Sequence, residues 1–234
     1  MKDDVNHSAR RINTLKDALN ASRYLEIGVA AGATFFGVEI DDKTAVDPRF
    51  RFDYAARATD KVRFFEMFSD DFFKIGDENL SYDIIFLDGL HVFGQTYRDF
   101  CATMAYATRR TLWIIDDTVP SDIYSAWPNQ REAVDLRRRS GGKSGRWHGD
   151  VYKVIFAIRD YFPTLNYCTL PEANGQTLIW FETRKDFRPI FNSMESIERM
   201  SYFDFVKHES EMNFRSEAEG LNMAISAVRK HRPM

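Results

Sequence analysis

The sequence predicts an α/β protein with a mainly parallel sheet, helices on both faces and a closing antiparallel strand pair. Three observations carry that expectation. Short apolar strands alternate with helical or loop segments through the first half of the chain, as in βαβ units. Two of those strands, "YDIIFLD" (82–88) and "TLWIID" (111–116), run straight into carboxylates. Two further strands, "NYCTL" and "QTLIWFET", stand close enough together to form a hairpin. Parallel strands joined by crossovers place their C-terminal ends along one edge, where open α/β sheets bind ligands.

The elements follow in order. Residues 9–20, "ARRINTLKDALN", set Ile12, Leu15 and Leu19 at helical spacing. "RYLEIGV" (23–29) is a strand that runs into glycines, and "KTAVDP" (43–48) is a second, stopped by Pro48. "KVRFFEM" (61–67) is the third strand and 82–88 the fourth; residues 93–108 have a helical pattern before the fifth. Residues 118–150 hold two prolines, a Gly-Gly pair and the run Arg137-Arg138-Arg139; the segment is too long for an ordinary connection and reads as a lid or substrate loop. "VYKVIFAIRDYF" (151–162) resumes the helical pattern. We expect one domain over residues 1–183 and a helical C-terminal extension, or oligomer contact, over 184–234.

Composition narrows the function. The 234 residues are 44% hydrophobic and 29% charged with a net charge of -3, an ordinary globular balance that lacks the basic surface of a general nucleic-acid binder. No apolar run approaches the ~20 residues of a membrane span, and "MKDDVNHSARR" lacks a secretory apolar stretch, so a cytoplasmic protein is expected. Cys101 and Cys168 have no metal or redox spacing and read as reduced, buried thiols.

The strand tips carry the chemistry. After the first strand comes Glu26-x-Gly28-x-Ala30-x-Gly32, where glycines let the backbone approach a ligand. Asp47 ends the next strand, and an acid there can accept hydrogen bonds from a ribose diol. Ser69 and Asp70 follow the third strand and suit either an adenine edge or the start of a helix. Asp88, Asp116 and Asp117 would repel one another unless a cation such as Mg2+ joined them, and that cation would hold a substrate hydroxyl. His91 is either a solvated loop histidine or the base that takes the hydroxyl proton.

In sequence order, "EIGVAAG", "VDP", "SDDFF", "FLDGLH", "IIDDT" and "WHGDVYK" resemble class I S-adenosylmethionine-dependent methyltransferases. The nearest group is the metal-dependent small-molecule O-methyltransferases of the macrocin O-methyltransferase-like set, with a looser similarity to catechol O-methyltransferase. The resemblance spans about residues 10–182 and implies a Rossmann-like methyltransferase fold. It implies Glu26, Gly28, Gly32 and Thr34 at the methionine end of S-adenosylmethionine, Asp47 on the ribose, and Ser69 with Asp70 at the adenine. It places Asp88 beside the cofactor and, with Asp116 and Asp117, on the metal; His91 falls at the general base. Trp147, His148 and Asp150 would lie near the substrate mouth. The acceptor would be a hydroxylated small molecule such as a sugar, or an anionic one met by the arginine run. Ala30 replaces a motif glycine, the first crossover helix must be short, and "ATRRTLWII" lacks the usual glycine pair. Two rivals remain at this level: a nicotinamide-dependent oxidoreductase, and a non-catalytic S-adenosylmethionine-binding partner in a biosynthetic complex.

Overall fold

In the computed structural model, which describes residues 6–76 and 80–231, a seven-stranded sheet runs in the order β3-β2-β1-β4-β5-β7-β6. The elements, in chain order, are α1 (His7–Leu19), β1 (Arg23–Ile27), α2 (Ala33–Gly37), β2 (Asp42–Asp47), β3 (Val62–Glu66), α3 (Ser69–Ile75), β4 (Tyr82–Leu87) and α4 (Phe93–Thr103). They continue with β5 (Ala107–Ile115), α5 (Gln130–Arg139), α6 (Tyr152–Tyr161), β6 (Leu165–Leu170), β7 (Gln176–Phe181), α7 (Met194–Glu198), α8 (Tyr202–Lys207) and α9 (Glu217–Arg229). Strands β1 to β5 pair in parallel, whereas β7 is antiparallel to both β5 and β6. The sheet is thus the expected mixed, mainly parallel one with a closing antiparallel pair.

Strand alternation splits the core into two layers. Leu25, Ile85, Leu87, Trp113 and Ile115 face Phe72 of α3, Phe100 of α4 and Phe156 of α6. Tyr24, Ile84, Phe86, Leu112 and Trp180 face Ile12 and Leu15 of α1, Phe35 of α2, and Leu221 and Val228 of α9. The last helix, α9, in the segment expected as an extension, therefore covers the sheet beside α1 and shares its core. Its start is fixed by a capping box between Ser216 and Glu219.

Two boundaries differ from the sequence reading. The helix expected over 93–108 ends at Thr103, and after a single 3-10 turn at Met104–Tyr106 β5 already begins at Ala107. The polar "ATRR" hid that start, because its side chains are mostly outside the core. The segment 118–150 contains α5, capped by Asn129, whose side chain accepts from the Glu132 backbone N–H. Only Ala133 and Arg137 of that helix are buried, so it shows no apolar stripe. No helix of the described residues is long and apolar enough to cross a membrane.

Candidate active site

The tips of β1, β2, β4 and β5 open into one cavity of about 750 Å³. Glu26, Gly28, Thr34, Asp47, Ser69 and Asp70 line its β1–β3 side, and Asp88, His91, Asp116 and Asp117 its β4–β5 side. All the positions expected for cofactor, metal and base except Gly32 therefore border the same space, whereas Trp147, His148 and Asp150 do not line it. Gly32, in the left-handed region at φ +79, is the N-cap of α2.

Asp47 builds the turn after β1. Its Oδ2 accepts from the backbone N–H groups of Val29 and Ala30, both at 2.8 Å, and its Oδ1 from that of Arg49 at 2.7 Å. These bonds hold Ala30 at φ +47, a conformation that costs an alanine energy and that a glycine would adopt freely. An Asp47 carboxylate spent this way keeps room for about one further donor on Oδ1, fewer than the pair of ribose bonds its position suggested. Glu26 is buried and accepts the Tyr24 hydroxyl at 2.6 Å; burial raises its carboxyl well above the ordinary range.

On the β3 side, the α3 N-cap is Phe68, so neither Ser69 nor Asp70 is the cap, although Asp70 and Asp71 occupy the first turn. Gln95 Nε2 ties the region together, donating to Ser69 Oγ at 3.1 Å, Asp70 Oδ1 at 3.2 Å and Asp99 Oδ1 at 2.9 Å. Phe68 and Leu90, 67% and 59% exposed, stand at this end of the cavity. Sequence reasoning missed all four of Phe68, Leu90, Gln95 and Asp99. The available signal was an apolar residue at a helix cap, and an acid four residues after Gln95 on a helix that buries that face.

At the other end, ligand atoms of Asp88, His91 and Asp117 lie within 4.8 Å of one another. His91 Nδ1 stands 2.6 Å from Asp117 Oδ2, and Nε2 stands 3.6 Å from Asp88 Oδ1. Burial alone would lower the His91 pKa, but the Asp117 and Asp88 carboxylates outweigh it and push it up to about 10. Without another cation, His91 is thus an imidazolium between two carboxylates. Asp117 is itself held left-handed at φ +56. Asp116 lines the same cavity outside that trio, and its Oδ1 accepts Gln176 Nε2 at 3.1 Å. Burial, then Asp88 and Asp117, raise the Asp116 carboxyl well above its usual range.

The segment "WHGD" grips the His91 loop. The Trp147 ring stacks on His91, with centroids 5.1 Å apart and planes at 6°. His148 is buried with Nε2 3.9 Å from Asp117 Oδ1, and burial lowers its pKa, so it stays neutral at neutral pH. Gly149 sits at φ +63, and a Cβ there would fall 1.6 Å from the His91 carbonyl oxygen; only glycine permits this approach. Asp150 accepts the Phe93 N–H at 2.7 Å at the start of α4 and pairs with Lys153 at 2.9 Å.

The arginine run does not face the cavity. Arg137 is 3% exposed and spends its donors on Asp122 Oδ1 at 2.6 Å and on the carbonyls of Ser144 at 3.1 Å and Arg146 at 2.5 Å. Arg138 and Arg139 are exposed and line no cavity described above. A polar branch of about 350 Å³, lined by Asn6, Ser8, Asp88, Asp116, Asn174 and Gln176, opens instead on the β5–β7 side.

Residues 25–118 match a methyltransferase domain family. No curated protein sequence matches the chain. Among solved structures, an O-methyltransferase from Bacillus cereus in complex with SAH is 16% identical, with a TM-score of 0.54 over 78% of this chain and 84% of that one. The SAH-bound methyltransferase PaMTH1 of Podospora anserina is also 16% identical, with a TM-score of 0.55 over 75% and 77%. The O-methyltransferase TomG of Streptomyces achromogenes, which acts in tomaymycin synthesis and was solved with SAM, is 13% identical, with a TM-score of 0.52 over 74% and 79%. At these identities the likeness is one of fold.

Proposed function

We propose that the chain, of which residues 25–118 match a methyltransferase domain family and whose fold is shared with cofactor-bound methyltransferases, moves a methyl group from S-adenosylmethionine to a hydroxyl oxygen of a small molecule. The observation that carries this reading is a single cavity joining the Asp47-braced glycine turn to the carboxylates of β4 and β5. Cofactor-bound neighbours of the same fold support the choice of cofactor over a nicotinamide, and they disfavour the oxidoreductase alternative.

In this reading Glu26, Gly28 and Thr34 hold the methionine end, Gly32 starts α2 outside the cavity wall, and Asp47 Oδ1 takes one ribose hydroxyl. The adenine lies by Ser69 and Asp70, between the apolar faces of Phe68 and Leu90. The acceptor enters by the branch at Asn174 and Gln176, where amides stand beside the Asp88 and Asp116 carboxylates, a lining suited to a polyol rather than to the anion that the arginine run suggested. The S–CH3 bond breaks as the O–CH3 bond forms, and the hydroxyl proton passes to a base. Asp116, which lines both spaces, and His91, the base the sequence suggested, both border the space where that proton is released.

The carboxylate end also fits a divalent cation: Asp117 Oδ1 is buried without a hydrogen-bond donor, and the 2.6 Å contact of His91 Nδ1 lacks hydrogen-bond geometry. Asp88, with Asp116 and Asp117 beside it, would hold such an ion, which when bound lowers the pKa of a hydroxyl. The chain's own residues position the acceptor and exclude water, and positioning of this kind supplies much of a displacement's acceleration.

Asp88→Asn is the test. Methyl transfer from labelled S-adenosylmethionine to a panel of hydroxylated acceptors should fall ~100-fold or more, the scale of losing a preorganised charge, with S-adenosylhomocysteine affinity by calorimetry nearly unchanged. Joint loss of both would mean that Asp88 is structural, and failure of the wild type to bind S-adenosylhomocysteine would sink the reading.

A further inference from the structure

We propose that Asp99, oriented by Gln95, reads the nucleobase of the cofactor, its carboxylate accepting a hydrogen bond from the 6-amino group of adenine. The proposal deepens the reading above, on which it rests. It moves the choice of base from Asp70, which the resemblance suggested, to a buried acid on α4 that sequence reasoning missed.

Three observations support it. First, Asp99 is 3% exposed, yet it lines the cavity. It reaches from α4 to the β4 tip, where a Cβ on Gly89 would stand 3.7 Å from its Oδ2. Carboxylates are rarely buried to this degree without a charged partner, but the nearby Arg98 pairs with Asp70 instead, at 2.9 Å. Second, acceptors outnumber donors in this wall. Gln95 Nε2 has two hydrogens for three neighbouring acceptors, Ser69 Oγ at 3.1 Å, Asp70 Oδ1 at 3.2 Å and Asp99 Oδ1 at 2.9 Å. The Ser69 hydroxyl is the other donor to Asp99. A carboxylate offers about four lone-pair sites, so about two on Asp99 remain for a ligand. Burial raises the Asp99 carboxyl despite the opposing bonds from Ser69 and Gln95, as expected of an acid short of donors. Third, Gln95 cannot turn its amide over. Its Oε1 accepts from Arg98 Nη2, which keeps Nε2 on the acids and fixes the wall as a row of acceptors.

An acceptor wall selects the base. In the reading above the purine rests between Phe68 and Leu90, and contact with its faces tolerates any base. Its edge then meets Ser69, Gln95 and Asp99, which line the same cavity. Adenine presents a 6-amino donor to such a wall, whereas hypoxanthine presents a 6-oxo acceptor. Two acceptors facing each other would leave the buried carboxylate and the oxo group both unpaired. Asp70 is the poorer reader, because its side chain is 47% exposed and already spent on Arg98, so water competes for it.

The full-length protein is titrated calorimetrically with S-adenosylhomocysteine and with S-inosylhomocysteine, which carries hypoxanthine in place of adenine. The wild type should bind the first ~10–100-fold more tightly, the usual scale on which an edge contact separates one base from another. Asp99→Asn places an amide donor opposite the 6-oxo group. That variant should bind S-inosylhomocysteine more tightly than the wild type does and bring the two affinities within a few-fold of each other. Asp70→Asn should keep the wild-type ratio. A gain for the 6-oxo ligand is a readout that a loss of packing would not give. In a crystal structure of the wild type with S-adenosylhomocysteine, which needs no variant to fold, the adenine N6 should stand within ~3.2 Å of an Asp99 carboxylate oxygen. Equal wild-type affinities, an unchanged ratio in Asp99→Asn, a ratio set by Asp70, or an N6 turned to solvent would each overturn the assignment while leaving the cofactor in place. Failure of the wild type to bind S-adenosylhomocysteine at all would overturn the assignment and the methyltransferase reading together, so the two failures give different results.

Discussion

Gly28→Ala is expected to weaken S-adenosylmethionine binding by ~100-fold or more, equivalent to about 2.7 kcal/mol, whereas Gly94→Ala leaves it unchanged. Gly28 sits at φ +89, where an alanine pays roughly 1–2 kcal/mol. The larger cost is contact: a Cβ there would lie 2.1 Å from the Asp88 carbonyl oxygen and 2.5 Å from Gly89 Cα. Neither neighbour is a flexible side chain, so the β1 or the β4 tip must move. Both tips are pinned, Gly28 N–H to Val46 O at 2.9 Å and Asp88 N–H to Ile27 O at 2.8 Å. Displacement therefore breaks the glycine turn and shifts Asp88 together. Gly94 has nothing within 4 Å of its added Cβ and lies in α4, so its alanine variant gains helix propensity at no steric cost. Calorimetric titration of both variants with S-adenosylmethionine, with far-ultraviolet circular dichroism as the folding check, reads the difference. Wild-type affinity in Gly28→Ala would mean that the turn is not the cofactor cradle.

The same contact explains what the sequence could and could not reveal. Strands β1, β2 and β4 are short apolar runs that end on Glu-x-Gly, Asp47 and Asp88, so both their existence and the edge they point to are readable from period and punctuation. The partition of roles among the tip residues is not. Asp116 and Asp117 are adjacent in sequence, yet one faces Gln176 and the other, through a left-handed backbone, faces His91. That choice depends on where β7 lies, and the β5–β7–β6 order inserts it between β5 and β6. Helix α5 and its arginines were equally opaque. Arg137 reads as a surface charge until the packed loop supplies Asp122 and two carbonyls to bury it. His148 was flagged only through the "WHGDVYK" resemblance, as lying near the substrate mouth; its place 3.9 Å from Asp117 comes from a loop that only tertiary packing brings to the strand tips.

Glu217→Ala should lower the midpoint of thermal unfolding by roughly 6–12 °C at pH 7, from a loss of about 3 kcal/mol. Glu217, at the start of α9, accepts Arg11 Nε at 2.7 Å and also pairs with Arg10. Arg11 is fully buried, so removing its carboxylate strands a charge that only the Gln176 Oε1 at 2.9 Å and the Glu172 carbonyl at 3.3 Å remain to satisfy. Hydrogen bonds to Arg10 and Arg11 hold the Glu217 pKa down at about 2. The sign follows: the folded carboxyl titrates below its unfolded value of ~4.3, so the pair's stabilisation is full above that value and is lost as pH falls through about 2. The gap between wild type and Glu217→Ala should therefore close between pH ~4.5 and ~2, while Glu217→Gln, which keeps the shape but not the charge, falls between them at pH 7. A gap that is constant with pH would show that the loss is one of packing rather than of charge. Because Arg11 also orients Gln176, and Gln176 holds Asp116, the variant joins the terminal helices to the acceptor side of the cavity: methyl transfer measured well below the melting range should fall modestly, and S-adenosylhomocysteine affinity should not.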